Sequence, residues 1–153
     1  MVPARALATS RIIVLGLAVV AVLAAADLVG RLALADHDRL QSRAHLTTDP
    51  VRALRLANDA LALNGDSLSS HYMKSAAYAR LGRYNAARAT LLQATRIEPH
   101  NPQPWALLGD LAVRRGAFRV AKIDYGRAAR LSPKDSIIGD LARHPRKALP
   151  QGP

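Results

Sequence analysis

Residues 102–135 read PQPWALLGDLAVRRGAFRVAKIDYGRAARLSPKD, and this stretch decides the fold. Asn101 can cap a helix start, and Pro102 and Pro104 suit a first turn, where a backbone amide would lack a partner anyway. Trp105, Leu108 and Ala112 then recur at helical spacing, which predicts a helix over about 104–115. Gly116 permits the left-handed backbone that ends it. A second helix is predicted over about 118–131, with Ala121, Tyr125 and Ala128 inward and Pro133 as its stop. Gly109 and Ala121 are small where the two helices would cross. Trp105, Leu108, Phe118 and Tyr125 are large enough to fill the space around that crossing.

The same pattern occurs one step upstream. Residues 68–101 align with 102–135 without a gap. Gly82 meets Gly116, Tyr84 meets Phe118, and Ala87 meets Ala121. Ala94 meets Ala128, Ile97 meets Leu131, and Pro99 meets Pro133. A further step back recovers Ala53, Ala60 and Leu63. A fixed period of this length signals stacked supersecondary units, none of which can bury its apolar faces alone.

These residues resemble the tetratricopeptide repeat family. The last repeat carries Trp105, Leu108, Gly109, Gly116, Phe118, Ala121, Tyr125, Ala128 and Pro133, and departs at Ala112, where the family favours an aromatic residue. The middle repeat keeps Tyr78, Gly82, Tyr84, Ala87, Ala94 and Pro99, but has His71, Lys74 and Ser75 in place of Trp, Leu and Gly. The earliest repeat, about 34–67, is degenerate, with a recognisable second helix and a poor first one. The resemblance implies an all-α fold, a right-handed α-solenoid of two to three helix hairpins within 31–143; the apolar run before it is read separately, as an N-terminal transmembrane helix. A helix around Arg31 to Leu46, continuing out of the membrane, would complete the stack. A short helix over 136–143 would cover its open end. The proline-containing tail, 144–153, is expected to be disordered.

Residues Ile12 to Ala26 are apolar or small without a charge, preceded by Arg5 and Arg11. Extended to Gly30, with Asp27 near the headgroups, residues 12–30 reach the length of a membrane span of about 20 residues. A cleaved signal peptide is the rival reading, with Ala24, Ala25 and Ala26 as a small-residue cleavage site. In either case the basic tail, 1–11, should stay in the cytoplasm and the helical domain should lie outside it, in a periplasm if the cell is Gram-negative.

The net charge is +11, with Glu98 the single glutamate. Such a balance points to nucleic acid, an anionic membrane surface or an acidic partner, or to a merely solvated arginine-rich face. Few aromatics are available for stacking, which disfavours single-stranded nucleic acid. The chain has no cysteine, which excludes disulfides, zinc–thiolate sites and thiol catalysis. The five histidines are scattered and make no metal-binding spacing, and no catalytic triad or phosphate-binding glycine loop appears. No enzyme activity, cofactor or metal is therefore expected.

The family resemblance implies that the first helix of each repeat lines a concave groove. Tyr72, Ala76, Ala79 and Arg80 then face it from the middle repeat. Ala106, Asp110, Val113 and Arg114 face it from the last, and Arg39 from the degenerate one. The paired Asn and Lys with which some family members clamp a peptide carboxylate are missing. Arg80 and Arg114 are equivalent by the repeat and suited to hold acidic side chains, or are ordinary helix-end arginines. A second basic surface, on the convex side, would comprise Arg88, Arg96, Arg119, Lys122, Arg127 and Arg130. The expected role is a non-catalytic scaffold or assembly factor in the cell envelope with a protein partner. The alternative is a binder of an anionic polymer.

Overall fold

The computed structural model describes residues 4–149; for 4–16 and Arg39 it describes the backbone alone. The described residues form seven α-helices: α1 (Ala4–His45), α2 (Pro50–Leu63), α3 (Leu68–Arg80), α4 (Tyr84–Ile97), α5 (Pro102–Arg114), α6 (Phe118–Leu131) and α7 (Ser136–Arg143). A 3-10 turn over Pro145–Ala148 follows. Short turns make neighbouring helices antiparallel. The chain thus builds three hairpins, α1 with α2, α3 with α4 and α5 with α6, closed by α7.

The helix starts are set by local chemistry. Asp49, Ser67, Asn101 and Asp135 each accept a hydrogen bond from a backbone amide of the following first turn. Pro50 and Pro102 occupy first-turn positions where no amide hydrogen is needed. At the far ends of α3 and α5 the chain turns through Gly82 and Gly116, with φ of 70° and 71°. Their neighbours close the helix: Arg83 N–H donates to Tyr78 O at 2.8 Å, and Ala117 N–H to Ala112 O at 2.9 Å.

The core is built from small residues. Ala53, Ala57, Ala60, Ala87, Ala94, Ala121 and Ala128 are fully buried on the second helices, so the helix axes can approach closely. Large side chains fill the remaining space. Leu91, Leu108 and Leu111 form one cluster with Tyr72, Tyr84 and Trp105 packed against it. Tyr125, Val113 and Ala121 form the next, covered by Leu141 and Ala142 of α7.

At each crossing the sequence uses a small residue. Gly109 lies so close to the Tyr125 ring that an added Cβ would stand 2.6 Å from it. The upstream hairpins use serine there and gain a bond: Ser75 Oγ donates to Ala87 O at 3.2 Å, and Ser42 Oγ to Ala53 O at 2.7 Å. Arg88 bridges hairpins by donating to Asp124, a carboxylate that is only 2% exposed, at 3.0 Å. Replacing Arg88 with methionine should cost about 2 kcal/mol in a denaturant titration. That is below the ~3–5 kcal/mol typical of a fully buried pair, because Arg88 itself is partly solvated.

Helix α1 runs unbroken for 42 residues. From Leu17 on it is long and apolar enough to cross a membrane, by length and composition, and the apolar window is wholly unburied. Its last third is the first helix of the first hairpin, with Ala35 and Ser42 buried. Deleting residues 1–30 should therefore leave the thermal melt unchanged. Deleting through Leu46 uncovers Ala53, Ala57 and Ala60 and should cost on the order of 3 kcal/mol.

The C-terminal segment differs from the disordered tail expected over 144–153. Residues 144–149 are ordered because Arg146 stacks on the Phe118 ring at 5.0 Å and Lys147 reaches Asp140 at 2.7 Å. Lys147, by that bond, holds the Asp140 carboxyl below its ordinary range. Residues 150–153 lie outside the described part.

Candidate functional site

The antiparallel hairpins bring α3, α5 and the end of α1 to one face. A recess of about 160 Å³ opens there, floored by Leu46, Ala76, Ala79, Leu91, Leu107 and Leu111. Its polar rim is Tyr72, Ser75, Asp110, Arg80 and Arg114. A second recess of about 280 Å³ adjoins it, lined by Leu40, Arg43, Ser69, Met73 and Gln103, and shares Tyr72.

Tyr72 stands between the two recesses. Its hydroxyl is buried and has no hydrogen-bond partner. Burial, and secondarily the negative charge of Glu98, push its pKa up to about 12. Because the hydroxyl is buried, it would meet a carbonyl oxygen of an incoming chain only by turning out into a recess, and its unused donor favours that turn. Replacing Tyr72 with phenylalanine removes the orphaned hydroxyl. It should raise stability by about 1 kcal/mol while weakening whatever binds the recess, and a melt paired with a binding assay reads both.

Across the recess, Tyr125 donates its hydroxyl to Asp110 at 2.5 Å. Burial first, then that bond and the Asp110 charge, raise the Tyr125 pKa, so it stays a donor. Asp110 is thereby held in place. Arg80 and Arg114 are exposed, and neither has an ion-pair partner among the described residues. The recess thus offers an apolar floor, one fixed carboxylate and two free guanidinium groups.

Tyr72, Ala76, Ala79, Arg80, Asp110 and Arg114, the groove residues implied by the family resemblance, line one recess. Two residues depart. Val113 is 3% exposed and packs in the core with Ala121 and Tyr125 under α7, because the terminal helix covers the side where a further repeat would stack. Ala106 is half-buried and lines neither recess. The side chain of Arg39 lies outside the described residues. The sequence reading missed Leu46, Leu91, Leu107 and Leu111. Their apolar type signals core, and only the helix-to-helix geometry reveals that they also floor an opening.

The proposed convex basic surface is divided. Arg88 is engaged with Asp124, and Arg127 stacks on the Trp105 ring at 4.6 Å. Arg96, Arg119, Lys122 and Arg130 remain exposed. His71 is buried and its Nε2 lies 3.0 Å from Gly65 O, a packing role in the place of the family's tryptophan. Among the described residues no three metal-ligating side chains cluster.

Residues 44–111 match the Tetratricopeptide repeat family. The fold is a tetratricopeptide-repeat solenoid. The Arabidopsis OM64 TPR domain superposes with a TM-score of 0.65 at 18% identity, covering 78% of this chain and 99% of that one. The first TPR of Spaghetti (RPAP3), bound to the HSP90 peptide SRMEEVD, gives 0.64 at 16% identity, covering 78% and 96%. The Yersinia enterocolitica type III secretion chaperone SycD, in complex with a peptide of the translocator YopD, gives 0.62 at 11% identity, covering 74% and 88%. No curated protein sequence matches the chain. The repeat match covers residues 44–111 of the chain, and tetratricopeptide repeat domains mediate protein–protein interaction.

Proposed function

We propose that this solenoid is a non-catalytic interaction module, held at a membrane by α1, whose recess takes a segment of a partner protein. The carrying observation is the recess itself: an apolar floor beside an unpaired buried hydroxyl and two unpaired arginines. Solenoids of the same fold solved with peptides support this reading. An extended partner chain would place an apolar side chain on the floor, a carbonyl at Tyr72 and a carboxylate between Arg80 and Arg114. The role is that of a scaffold or assembly factor in the cell envelope, serving polysaccharide synthesis or export, cytochrome maturation or secretion. Confinement to the membrane plane raises its effective concentration there.

The apolar stretch of α1 supports a membrane span; the inner membrane, the bounds 12–30, a cytoplasmic N-terminus and an extracytoplasmic solenoid are our reading from Arg5 and Arg11 ahead of it. The alternative is secretion after cleavage near Ala26. A reporter fused after Pro153 tests the side, and the mass of the mature chain tests cleavage.

The test of function is purification of the full chain from native membranes in mild detergent. Partner chains should co-purify in fixed ratio. The double variant Arg80→Ala/Arg114→Ala should weaken their retention about tenfold or more, since each charge-assisted bond contributes roughly 1.5–3 kcal/mol. Repeated recovery of the chain alone would count against the proposal.

A further inference from the structure

The turns of the solenoid fall on two opposite edges, and their charges differ. Each first helix runs the same way as α1, away from its apolar stretch. The turns that end first helices therefore share the edge remote from that stretch. The turns that end second helices share the near edge.

The near edge is mixed: Arg96 and Lys134 stand among Asp66, Glu98 and Asp135. On the remote edge arginine dominates. Arg43 and Arg52 flank the first turn, with Asp49 as the single acid there. Arg83 follows at the second turn, and Arg115 and Arg119 at the third. All five are exposed.

Helix stability does not explain this placement. A cation at the end of a first helix suits the helix dipole, whereas a cation at the start of a second helix opposes it. Arg83 occupies the N-cap of α4, with no side-chain cap bond, and Arg119 is the second residue of α6. Arg52 is the third residue of α2, and no acidic residue lies in the first turn of any of the three. None of these three arginines has an ion-pair partner among the described residues.

We infer that the remote edge is a second docking surface, for an extended acidic segment of a protein. The inference extends the interaction reading above but uses different residues; Arg80 and Arg114, which end α3 and α5, adjoin this edge from the side of the recess. Helix axes pack about 8–10 Å apart and an extended chain rises ~3.3 Å per residue, so carboxylates every few residues can meet successive turns. Aromatic faces that would stack on bases or sugar rings are covered. Arg115 lies over Tyr84 at 5.8 Å, and Arg146 over Phe118. The headgroups of the membrane holding α1 are out of reach, since Arg31 to His45 spans about 20 Å of helix.

The test uses the full chain in detergent and a labelled poly-glutamate peptide of about 20 residues, titrated at several salt concentrations. Binding should weaken steeply with salt. The variant Arg52→Gln/Arg83→Gln/Arg119→Gln should lose about tenfold or more in affinity. A variant of equal charge change, Arg96→Gln/Lys122→Gln/Arg130→Gln, should lose about twofold or less. The first variant should also melt at a higher temperature, because it removes cations from helix starts. Equal losses in both variants, or no peptide binding, would overturn the inference. So would about tenfold tighter binding of heparin or duplex DNA than of poly-glutamate. Filling the recess with Ala76→Trp separates the two faces. It should abolish partner co-purification and leave poly-glutamate binding intact, and loss of the peptide with Ala76→Trp alone would assign it to the recess instead.

Discussion

Replacing Tyr125 with alanine is expected to remove about 3–5 kcal/mol of stability, the range for truncating a large buried aromatic. Tyr125 is fully buried, in a cluster with Ala112, Val113 and Ala121. The loss has three sources. The ring vacates space against Gly109, which has no side chain to refill it. The α7 helix loses its seat on the last hairpin, since Leu141 and Ala142 pack on the same cluster. Asp110 loses its hydroxyl donor and is left freer on the recess rim. Tyr125→Phe isolates the last of these. It should cost only about 1 kcal/mol, yet alter partner binding because Asp110 is no longer held. Urea titrations of both variants, followed by circular dichroism, separate packing from the hydrogen bond. Equal losses in the two would show that the ring contributes little.

Replacing Gly109 with alanine is expected to cost about 3 kcal/mol, the upper part of the range for overpacking a core. A single added methyl would stand 2.6 Å from two ring carbons of Tyr125 and 2.8 Å from a third. The ring has no room to retreat, because it is fully buried and its hydroxyl is tied to Asp110. Helices α5 and α6 must therefore separate, and the recess rim moves with α5. The double variant Gly109→Ala/Tyr125→Leu tests the cause. Its loss should be clearly smaller than the sum of the single losses, since each change relieves the other. Strict additivity would place the strain elsewhere.

Much of the fold was legible because several residue types recur in phase. The second helix of each later repeat was placed through its buried alanines and the proline beyond it. The first hairpin was harder to read, for a geometric reason. Ser42 bonds Ala53, eleven residues on, whereas Ser75 bonds Ala87, twelve residues on. One residue fewer between those contacts throws the end of α1 out of phase with a fixed 34-residue comparison. The helix looked poor in sequence although it packs normally. Its polar crossing residue hid it further, since Ser42 makes its contact through a hydrogen bond rather than an apolar side chain.

The recess was legible only in outline. The family resemblance implied that Tyr72, Ala76, Arg80, Asp110 and Arg114 face one groove. It gave no sign that the Tyr72 hydroxyl is unpaired or that Tyr125 reaches Asp110, because both depend on packing between hairpins. Val113 was misplaced because the pattern carries no mark of where the stack ends. The terminal α7 turns what would be a repeat-facing position into core.

Helix α1 has no break between its apolar stretch and its packing on α2. A rod of this kind transmits torque. If the apolar stretch is held in a bilayer as proposed, a neighbouring helix that twists it there would turn the recess through the same angle, with no slack to absorb it. Inserting one residue between Gly30 and Leu34 would rotate the recess by about 100° about the rod, so a partner fixed in the same membrane would find it facing the wrong way even though every contact within the solenoid is intact.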